Sequence, residues 1–475
     1  MNSFESELPQ PCYGLKTILI NPTHAEWART LPLGIAYIAS VLEKSGLPID
    51  IIDMNTQRMD LTGVKDELIK RDANIVGITS TTPQIRVSWE IAKLAKQINP
   101  NCKVVLGGVH PTALPEESLS TPYVDFVVRG EGEVTFLDLI RALGGNVNLK
   151  NVKGLSFKTG GEIIHNPSRP FIGNLDSIPF PARHLFPFPE AYKSPMLKKK
   201  LFADIITSRG CPGTCIFCNK SIFGHTFRAR SPENVADEIE FLVGKYGVGE
   251  IHIADDTFSF DIDRAMRICD LIIERNLDIA WSCSNGIRVD CVNRELLRKM
   301  KKAGCYRVSF GVESGSNEIL KRIGKGITLQ EARSACEIAN DVGLTTIAFY
   351  MLGNYGESRE TMEKTIAFAK SLNTDYAQFT IATPFPGTAL YKLIEKHGKI
   401  LTKDWERYGI YEEPLFETKD LTRELVAEMY RKAYREFYFR STYILRRVRN
   451  IKSLRDLKAA INGFLEVFKR LIIKP

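Results

Sequence analysis

Three cysteines lie within eight residues of the 475-residue chain, with the spacing C-x3-C-x2-C: Cys211, Cys215 and Cys218. They follow a strand-like run, from Leu201 to Thr207, and lie on a loop rich in glycine and proline. Cysteine thiolates hold iron–sulfur clusters, and a four-iron cluster normally takes four of them. Three thiolates would therefore leave one iron with an open position for a non-protein ligand, as catalytic zinc sites leave one open.

Other uses of these thiols fit the sequence less well. A structural zinc site needs four ligands, and the nearest candidate for a fourth, His225, lies beyond a basic aromatic run. A disulfide framework is typical of small secreted domains, whereas residues 1–11 are acidic and polar and do not resemble a signal peptide. The sequence therefore predicts an iron–sulfur centre in a reducing cytoplasm.

The cysteine spacing, with Phe217 directly before the last cysteine, resembles that of the radical SAM superfamily. The resemblance implies a [4Fe-4S] cluster on Cys211, Cys215 and Cys218, whose open iron binds the amino and carboxylate groups of S-adenosylmethionine (SAM). It gives Phe217 a place at the cofactor. It also implies that one electron, from a flavodoxin- or ferredoxin-type donor, cleaves SAM to a 5′-deoxyadenosyl radical.

The cysteine loop lies near the start of a predicted core, residues 201–390, in which strand-like and helix-like runs alternate. Strands are predicted at 202–207, 250–255, 279–284, 307–312, 345–351 and 376–382. Six such units without signals for eight predict a partial (β/α)6 barrel, whose functional side chains gather at the carboxyl ends of the strands. The candidates at those ends are Asp255, Asp256, Ser284, Arg288, Glu313 and Gly353.

The resemblance gives several of these residues roles in binding SAM. Asp255 and Asp256 match the segment whose backbone contacts the amino group. Glu313 matches a glutamate that binds polar groups of SAM, and Gly353 lies in a segment similar to the adenine-side glycine motif. Because a guanidinium suits planar anions, Arg288 is predicted to pair with the carboxylate. The plainer interpretations are helix caps for the aspartates, a buried ion pair for Glu313 and a surface charge for Arg288.

Residues 1–150 form a second α/β region. Strand candidates at 16–22, 49–55, 75–81, 103–108 and 126–130 alternate with helical runs, which predicts a doubly wound parallel sheet. Such sheets bind ligands at the carboxyl ends of their strands, and small residues there let a bulky ligand approach the backbone. The candidate ligand-binding residues at this edge are Gly34, Thr79, Thr81, Thr82, Gly107, Gly108, His110, Gly130 and Glu131.

This region resembles the cobalamin (B12)-binding domain that precedes many radical SAM cores, which implies that the candidates at the edge bind cobalamin. The resemblance rests on the segments 32–37, 79–82, 107–111 and 129–133. The D-x-H-x-x-G motif that supplies a lower-axial histidine elsewhere is absent, so His110, His24, water or nothing could lie beneath the cobalt. Alternatively the glycines and hydroxyls serve turns and caps, or another nucleotide binds.

The remaining segments are a linker and a tail. Residues 151–200 are predicted as a hairpin, at 152–165, followed by a stiff proline-rich segment. Residues 391–475 are predicted as a helical extension, and 440–475 holds ten Lys and Arg against two Asp and Glu, within a net charge of +8. The sequence contains no run of 18 or more apolar residues, the length that a membrane-spanning helix needs.

The tail from Leu454 to Ile472 places its apolar residues in one helical stripe beside basic residues. This pattern is typical of a helix in a membrane interface. The upstream basic cluster would add attraction to anionic lipid, and it consists of Arg446, Arg447, Arg449 and Lys452. The stripe could equally pack on the barrel. The apolar pattern argues against nucleic acid as the partner of the basic tail.

As a whole, residues 16–440 are similar to the class B cobalamin-dependent radical SAM enzymes. The resemblance implies a cytoplasmic methyltransferase acting on an unactivated carbon of a small molecule or lipid, such as an isoprenoid. The alternative is a non-methylating cyclase or other C–C bond-forming enzyme, similar to the anaerobic cyclase of the bacteriochlorophyll pathway. A regulator that binds the cofactors without turnover is a third possibility. A methylthiotransferase is disfavoured because the N-terminal region lacks a second cysteine triplet.

Overall fold

The computed structural model describes residues 14–23, 29–145, 147–194, 196–411 and 413–449, together with the helical positions 461, 463, 465 and 468. The chain divides into two compact units. The first unit is Met1–Cys211 with Asn219–Val248, and the second is Pro212–Cys218 with Gly249–Pro475. Strands alternate with helices in both units, which confirms the predicted α/β class.

The first unit contains a seven-stranded sheet with the strand order β2-β1-β3-β4-β5-β6-β7. Five strands are parallel, as predicted, and their runs of aliphatic residues are mostly buried: β1 (Thr17–Asn21), β2 (Ile49–Asp53), β3 (Ile75–Thr79), β4 (Lys103–Gly107) and β5 (Phe126–Val128). The helices are α1 (Leu33–Lys44), α2 (Met54–Gln57), α3 (Leu61–Arg71), α4 (Ile85–Ile98), α5 (Val109–Ala113), α6 (Pro115–Leu119) and α7 (Gly132–Leu143).

The predicted hairpin is present, as β6 (Leu155–Thr159) and β7 (Glu162–His165). It also extends the sheet, because β6 pairs antiparallel with β5, which places Phe157 opposite Phe126. The turn between the two hairpin strands holds Gly160 and Gly161, both with positive φ, where a side chain would be strained. An antiparallel ribbon therefore covers the edge that β5 would otherwise expose.

The proline-rich segment is ordered by aromatic packing against helix α8 (Pro232–Tyr246). The ring of Phe188 meets Tyr246 edge-on, with 5.1 Å between centroids, and the ring of Phe180 lies 6.1 Å from that of Phe241. These ring contacts attach the segment to α8, where Phe188 is buried and Phe241 stays 38% exposed. The same unit contains β8 (Phe202–Ile205) and a short antiparallel ladder of β9 (Ser208–Arg209) and β10 (Arg228–Ala229).

The second unit contains five parallel strands that pair in chain order: β11 (Glu250–Ile253), β12 (Ala280–Ile287), β13 (Cys305–Glu313), β14 (Thr345–Leu352) and β15 (Tyr376–Ile381). With β8, these are the six strands that the sequence predicts for the barrel. The intervening helices are α9 (Ile262–Glu274), α10 (Arg294–Lys302), α11 (Asn317–Arg322), α12 (Leu329–Val342) and α13 (Arg359–Ser371).

The C-terminal extension contains α14 (Ala389–His397), α15 (Arg423–Tyr438) and α16 (Ser441–Arg449), together with a small ladder of β16 (Lys399–Ile400) and β17 (Phe416–Glu417). Helix α15 packs on β15, where the Tyr434 hydroxyl donates to the Phe379 carbonyl at 3.0 Å. Most of the predicted helix from Leu454 to Ile472 lies outside the described residues. Among those described, no helix is long and apolar enough to cross a membrane.

Candidate active site

The cysteine loop is held by backbone contacts and by one lysine side chain. Gly210 has a φ of +83°, and a Cβ there would lie 2.2 Å from the carbonyl oxygen of Thr226, so only glycine fits without a shift. Next to it, the Cys211 carbonyl accepts a hydrogen bond from Lys220 Nζ at 2.7 Å. The amide of Cys218 donates to the carbonyl of Cys215 at 3.2 Å, which closes a turn. The chain thus enters and leaves the loop on fixed backbone.

The three loop thiols fit the chemistry of an iron–sulfur cluster. None forms a disulfide, Cys211 and Cys215 are partly exposed, and Cys218 is exposed. Within the described residues, no three His, Cys, Asp or Glu side chains converge on the position of a single metal ion. A cubane does not require such convergence, because each thiolate binds a different iron. The donor set therefore suits a cluster better than a single ion.

A lysine that the sequence analysis missed lies beside the loop. Lys325 Nζ donates to Glu313 Oε1 at 2.7 Å, and both side chains are buried. Burial alone would lower the pKa of Lys325, but the charges of Glu313 and Cys215 outweigh it, so the pKa lies above its ordinary value. Glu313 therefore takes part in a buried ion pair, the plainer of its two interpretations, and its contact with SAM stays a prediction.

The loop that carries Lys325 packs directly on the cysteine loop. A Cβ at Gly324, where φ is +68°, would lie 2.5 Å from the carbonyl oxygen of Thr214. In addition, Ile216 N donates to the Ile323 carbonyl at 3.0 Å. A sequence signal for Lys325 does exist, because it lies between two glycines, Gly324 and Gly326. Both glycines adopt positive φ in the structure, as residues of a tight loop often do.

Arg288 is not a free surface charge. Its Nε and Nη2 donate to the two carboxylate oxygens of Asp290 at 2.9 and 2.7 Å, and its Nη1 donates to the Lys325 carbonyl at 3.2 Å. Burial would lower the pKa of Arg288, but Asp290 outweighs it and raises the pKa. In this structure Arg288 orients the Lys325 loop, and its predicted pairing with the SAM carboxylate stays a prediction.

The aspartates after β11 do not cap helix α9, because Asp261 does so by accepting from Arg264 N. Asp255 is buried, and its carbonyl accepts from Asn285 Nδ2 at 3.1 Å, whereas Asp256 is exposed. The partly exposed Ser284 lies on β12, near its carboxyl end. The capping interpretation of the aspartates at this helix is thereby removed, and their predicted role at SAM remains.

The loop after β14 is built around a buried carboxyl group. Gly353 has a φ of +78°, and a Cβ there would lie 2.8 Å from Val426 Cγ1, so glycine allows α15 to approach. Glu357 Oε2 accepts from the Asn354 amide at 2.9 Å, and burial raises the pKa of Glu357 to about 8. A carboxyl group that is neutral near pH 7 thus braces the predicted adenine-side loop.

Phe217, predicted at the cofactor, is half-buried and packs on an apolar cluster. The buried members of that cluster are Ala382, Leu390, Ile394 and Phe416. The Ile216 carbonyl also accepts from the Leu390 amide at 2.8 Å. The aromatic residue of the cysteine motif therefore anchors the loop to the end of the second unit, and a contact with the cofactor stays a prediction.

The carboxyl edge of the first sheet has the small, accessible surface that a corrinoid needs. Thr79, Gly107, Gly108 and Gly130 are partly exposed, and Gly34 and Thr81 are exposed. At Gly108, where φ is +99°, a Cβ would lie 2.7 Å from the Ser80 carbonyl oxygen. Glycine at position 108 is therefore required by the neighbouring backbone itself, whereas the small, partly or fully exposed residues leave this edge open to a bulky ligand.

Thr82 and His110 at this edge are buried, and Thr81 is exposed but uses its hydroxyl in a contact within the protein. Thr82 is buried, and the Thr81 hydroxyl donates to Gln84 Oε1 at 2.8 Å in a capping box, as the plainer interpretation of the hydroxyls holds. His110 is fully buried, with Nε2 3.8 Å from Glu117 Oε1, and burial lowers its pKa to about 4. Its ring is therefore neutral at pH 7. His24 lies outside the described residues.

Glu131 lies in a buried ion-pair network that sequence reasoning missed. Its carboxylate accepts from Arg209 Nη1 at 3.0 Å, Arg228 Nη1 at 2.9 Å and the Ile172 amide at 2.7 Å. Its hydrogen-bonding capacity is thus used inside the protein, and its assignment to the cofactor stays a prediction. The partners lie 78 and 97 residues away along the chain, so no local pattern indicates them.

Two family models match the chain. The model described as the radical SAM superfamily matches residues 205–369, and the B12 binding domain model matches residues 28–140. A protein of Pyrococcus horikoshii named as an uncharacterized methyltransferase is 39% identical over 458 residues, which are 95% of this chain and 98% of the relative.

Two further relatives are each 30% identical to the chain. The anaerobic magnesium-protoporphyrin IX monomethyl ester cyclase of Rubrivivax gelatinosus matches over 87% of this chain and 74% of its own length. The cytidylyl-2-hydroxyethylphosphonate methyltransferase of Streptomyces wedmorensis matches over 89% and 90%. Methyl transfer and cyclisation therefore both occur among the names of the relatives.

Two solved structures share the fold. The cobalamin-dependent SAM radical enzyme OxsB, with aqua-cobalamin and SAM bound, aligns with a TM-score of 0.76 and 18% identity over 96% of this chain and 71% of its own. The radical SAM methyltransferase TsrM from Kitasatospora setae, with cobalamin and a [4Fe-4S] cluster bound, aligns with a TM-score of 0.68 and 17% identity over 89% and 88%.

Proposed function

Because this chain belongs to the radical SAM enzymes that carry a B12-binding domain, we propose that it is a methyltransferase acting on an unactivated carbon. The observation that carries the proposal is the 39% identity, over nearly the whole of both chains, to a protein named as a methyltransferase. The accessible cysteine triplet and the small-residue edge of the first sheet support it, since both are needed for methyl transfer by this route.

In this proposal Cys211, Cys215 and Cys218 hold a [4Fe-4S] cluster, and the edge of the first sheet holds cobalamin. When bound, the cluster with SAM supplies a radical and the corrinoid supplies the methyl group. The protein binds, orients and excludes water. Lys325 and Arg288 place positive charge near Cys215, one of the three cysteines proposed to hold the cluster. We place the enzyme in the cytoplasm, with a flavodoxin- or ferredoxin-type electron donor.

The test of the proposal counts the products of SAM. Reduced, reconstituted protein is incubated with SAM and a small-molecule and lipid extract from cells that lack it. Methyl transfer should give S-adenosylhomocysteine together with 5′-deoxyadenosine, and a product heavier by one methylene, because one SAM supplies the radical and another restores the methyl group. Deuterated methyl-SAM should label that product.

The same assay decides between the two candidate reactions. A cyclase, which the relative from Rubrivivax gelatinosus makes the second candidate, would yield 5′-deoxyadenosine without S-adenosylhomocysteine and without transfer of deuterium. Formation of 5′-deoxyadenosine would exclude a regulator that binds the cofactors without turnover. Protein heated before the incubation serves as the control for SAM breakdown.

We further propose that the C-terminal tail contacts an anionic membrane and that the substrate is a lipid. The support is the reversed polarity of helix α16. Its Arg446 donates to the Asn373 carbonyl at 2.9 Å, and its Arg447 lies 4.3 Å from the centroid of the Tyr376 ring. The two arginines therefore attach the helix to its own unit. This corrects the expectation that they add to a lipid-facing charge, because protein acceptors and a ring already occupy them.

The aliphatic residues of the same helix point outward instead. Ile444, Leu445 and Val448 are 45%, 57% and 59% exposed. Three members of the predicted tail stripe, Ile461, Leu465 and Phe468, are about half-exposed as well. An exposed apolar face within a segment of ten basic and two acidic residues has the composition of a helix that lies on anionic lipid.

The membrane proposal predicts that two outward residues decide binding. Full-length protein should co-sediment with vesicles containing phosphatidylglycerol at low salt, and a Leu445→Asp, Val448→Asp variant should bind on the order of tenfold more weakly, because it loses apolar contact and gains like charge. Ile69→Asp, at an equally exposed aliphatic residue on α3, is the control. Equal binding of all three proteins would remove the membrane role from α16.

A further inference from the structure

Four buried charged side chains, Glu131, Glu133, Arg209 and Arg228, form a network in the first unit that we call the charge quartet. Arg209 donates from Nη1 to Glu131 at 3.0 Å and from Nη2 to Glu133 at 2.6 Å. Arg228 donates from Nη1 to the same oxygen of Glu131 at 2.9 Å. Each side chain is less than one-tenth exposed, and two positive charges balance two negative ones.

Arg209 is held more firmly than its ion pairs alone require. Its guanidinium lies 5.2 Å from the centroid of the Tyr37 ring and 5.1 Å from that of the Phe223 ring. Aromatic rings and two carboxylates together fix both the plane and the direction of the fork. Burying charged side chains is costly, and apolar side chains in the same places often stabilise a protein equally well. Stability alone therefore does not explain the network, and we interpret it as a device that fixes geometry.

The quartet reaches the first cluster cysteine through a short, stiff connection. Arg209 and Arg228 lie opposite each other in the ladder of β9 and β10. Gly210 follows Arg209 directly and has no room for a side chain, and Cys211 comes next. Only one constrained residue therefore separates the anchored guanidinium from the thiol.

The other side of the quartet lies at the corrinoid edge. Glu131 follows Gly130, whose amide donates to the Thr112 hydroxyl at 3.1 Å on α5. Tyr37, which Arg209 contacts, belongs to α1, the helix that begins beside the exposed Gly34. The loop after β5 and helix α1 both carry residues predicted to bind cobalamin, and both contact Arg209.

We infer that Arg209 is a positioning residue that sets the place of Cys211, because its guanidinium is anchored to Glu131 on the loop after β5 and to Glu133 in the first turn of α7. The inference deepens the proposed function, on which it rests for the role of Cys211 as a cluster ligand. It also gives the Glu131 carboxylate an anchoring role in place of direct contact with cobalamin. The first cluster ligand and the corrinoid edge then share one rigid support.

The test measures the reactivity of Cys211 in the full-length, reduced, cluster-free chain. The rate of iodoacetamide labelling at Cys211 and at Cys218 is followed by mass spectrometry of peptides. Arg209→Lys keeps the positive charge but loses the forked guanidinium that binds both carboxylates. The rate of labelling at Cys211 should therefore rise roughly tenfold through local opening, while the rate at Cys218 stays unchanged. Glu133→Gln should change the rate at Cys211 in the same direction. Arg183→Lys, which weakens another buried ion pair of the same unit, is the control.

Three results would overturn the inference. One is an unchanged labelling rate at Cys211 in Arg209→Lys, and another is an equal change in the Arg183→Lys control, which would mean general loosening. The third is loss of hydroxocobalamin retention by Arg209→Lys when the parent protein retains it, since the quartet would then belong to the corrinoid site itself. The labelling needs neither SAM nor cobalamin, so a failure of the proposed methyl transfer leaves this result readable.

Discussion

Replacing Cys215 by alanine should abolish reductive cleavage of SAM and remove most of the iron from the reconstituted protein. A three-thiolate cluster has no spare protein ligand, so the loss of one thiolate leaves two irons unheld by the chain. At Cys215 the change also removes a side chain that interacts electrostatically with Lys325 and Arg288. The measurements are iron and sulfide content, and the formation of 5′-deoxyadenosine after reduction.

A matched control exists in the same unit. Cys291 is a partly exposed cysteine that lies outside the triplet and forms no disulfide, and Cys291→Ala should keep the iron content and the SAM cleavage of the parent protein. Cys211→Ala and Cys218→Ala should behave like Cys215→Ala. Retention of parental SAM cleavage by any one of the three would contradict the assignment of the triplet as the cluster ligands.

Replacing Glu238 should cause a large loss of stability in the first unit. The carboxylate is fully buried on α8 and accepts hydrogen bonds from Arg183 Nη1, at 2.6 Å, and from Arg230. Glu238→Ala leaves two buried guanidinium groups without their common carboxylate. Removing one partner from such a pair typically costs about 3–5 kcal/mol in the free energy of unfolding.

The effect of Glu238 should also depend on pH. Burial alone would raise its pKa, but the charges of Arg230 and Arg183 outweigh burial, and the pKa lies below its ordinary value of 4.5. The stabilisation is therefore complete above pH 4.5 and is lost as the pH falls through the lowered value. Denaturant midpoints of the two proteins should differ most at neutral pH and converge in acid. Glu240→Gln, at an exposed position on α8, is the control, and an equal shift there would contradict the argument.

Strand and helix alternation could be predicted because burial leaves a local pattern. All nine residues of β13 are buried, and a continuous apolar-rich run is typical of a strand covered on both faces. The hairpin of β6 and β7 was predicted from its paired glycines. Its antiparallel pairing with β5 was not predicted, because the partner of an edge strand is chosen by tertiary packing and not by local sequence.

Site residues were harder to predict where their partners are distant in the sequence. Lys325 binds Glu313, which lies 12 residues away in the sequence. Lysine and glutamate are usually exposed, so the sequence does not indicate that this particular pair is buried. Arg446 and Arg447 were expected to face lipid since they are charged, yet an edge of backbone carbonyls and a tyrosine ring bind them instead. Charge alone predicts exposure poorly when acceptors of matching geometry are available.

The antiparallel ribbon formed by β6 and β7 limits where the chain can be divided into fragments that fold. A fragment that stops at residue 150 would lose the partner of β5, and Phe126 would lose the packing of Phe157. It would also retain Glu131 and Glu133 without the arginines that neutralise them, which come only at positions 209 and 228. We therefore expect that residues 1–150 do not fold stably by themselves. A fragment meant to fold by itself would have to include the chain as far as helix α8.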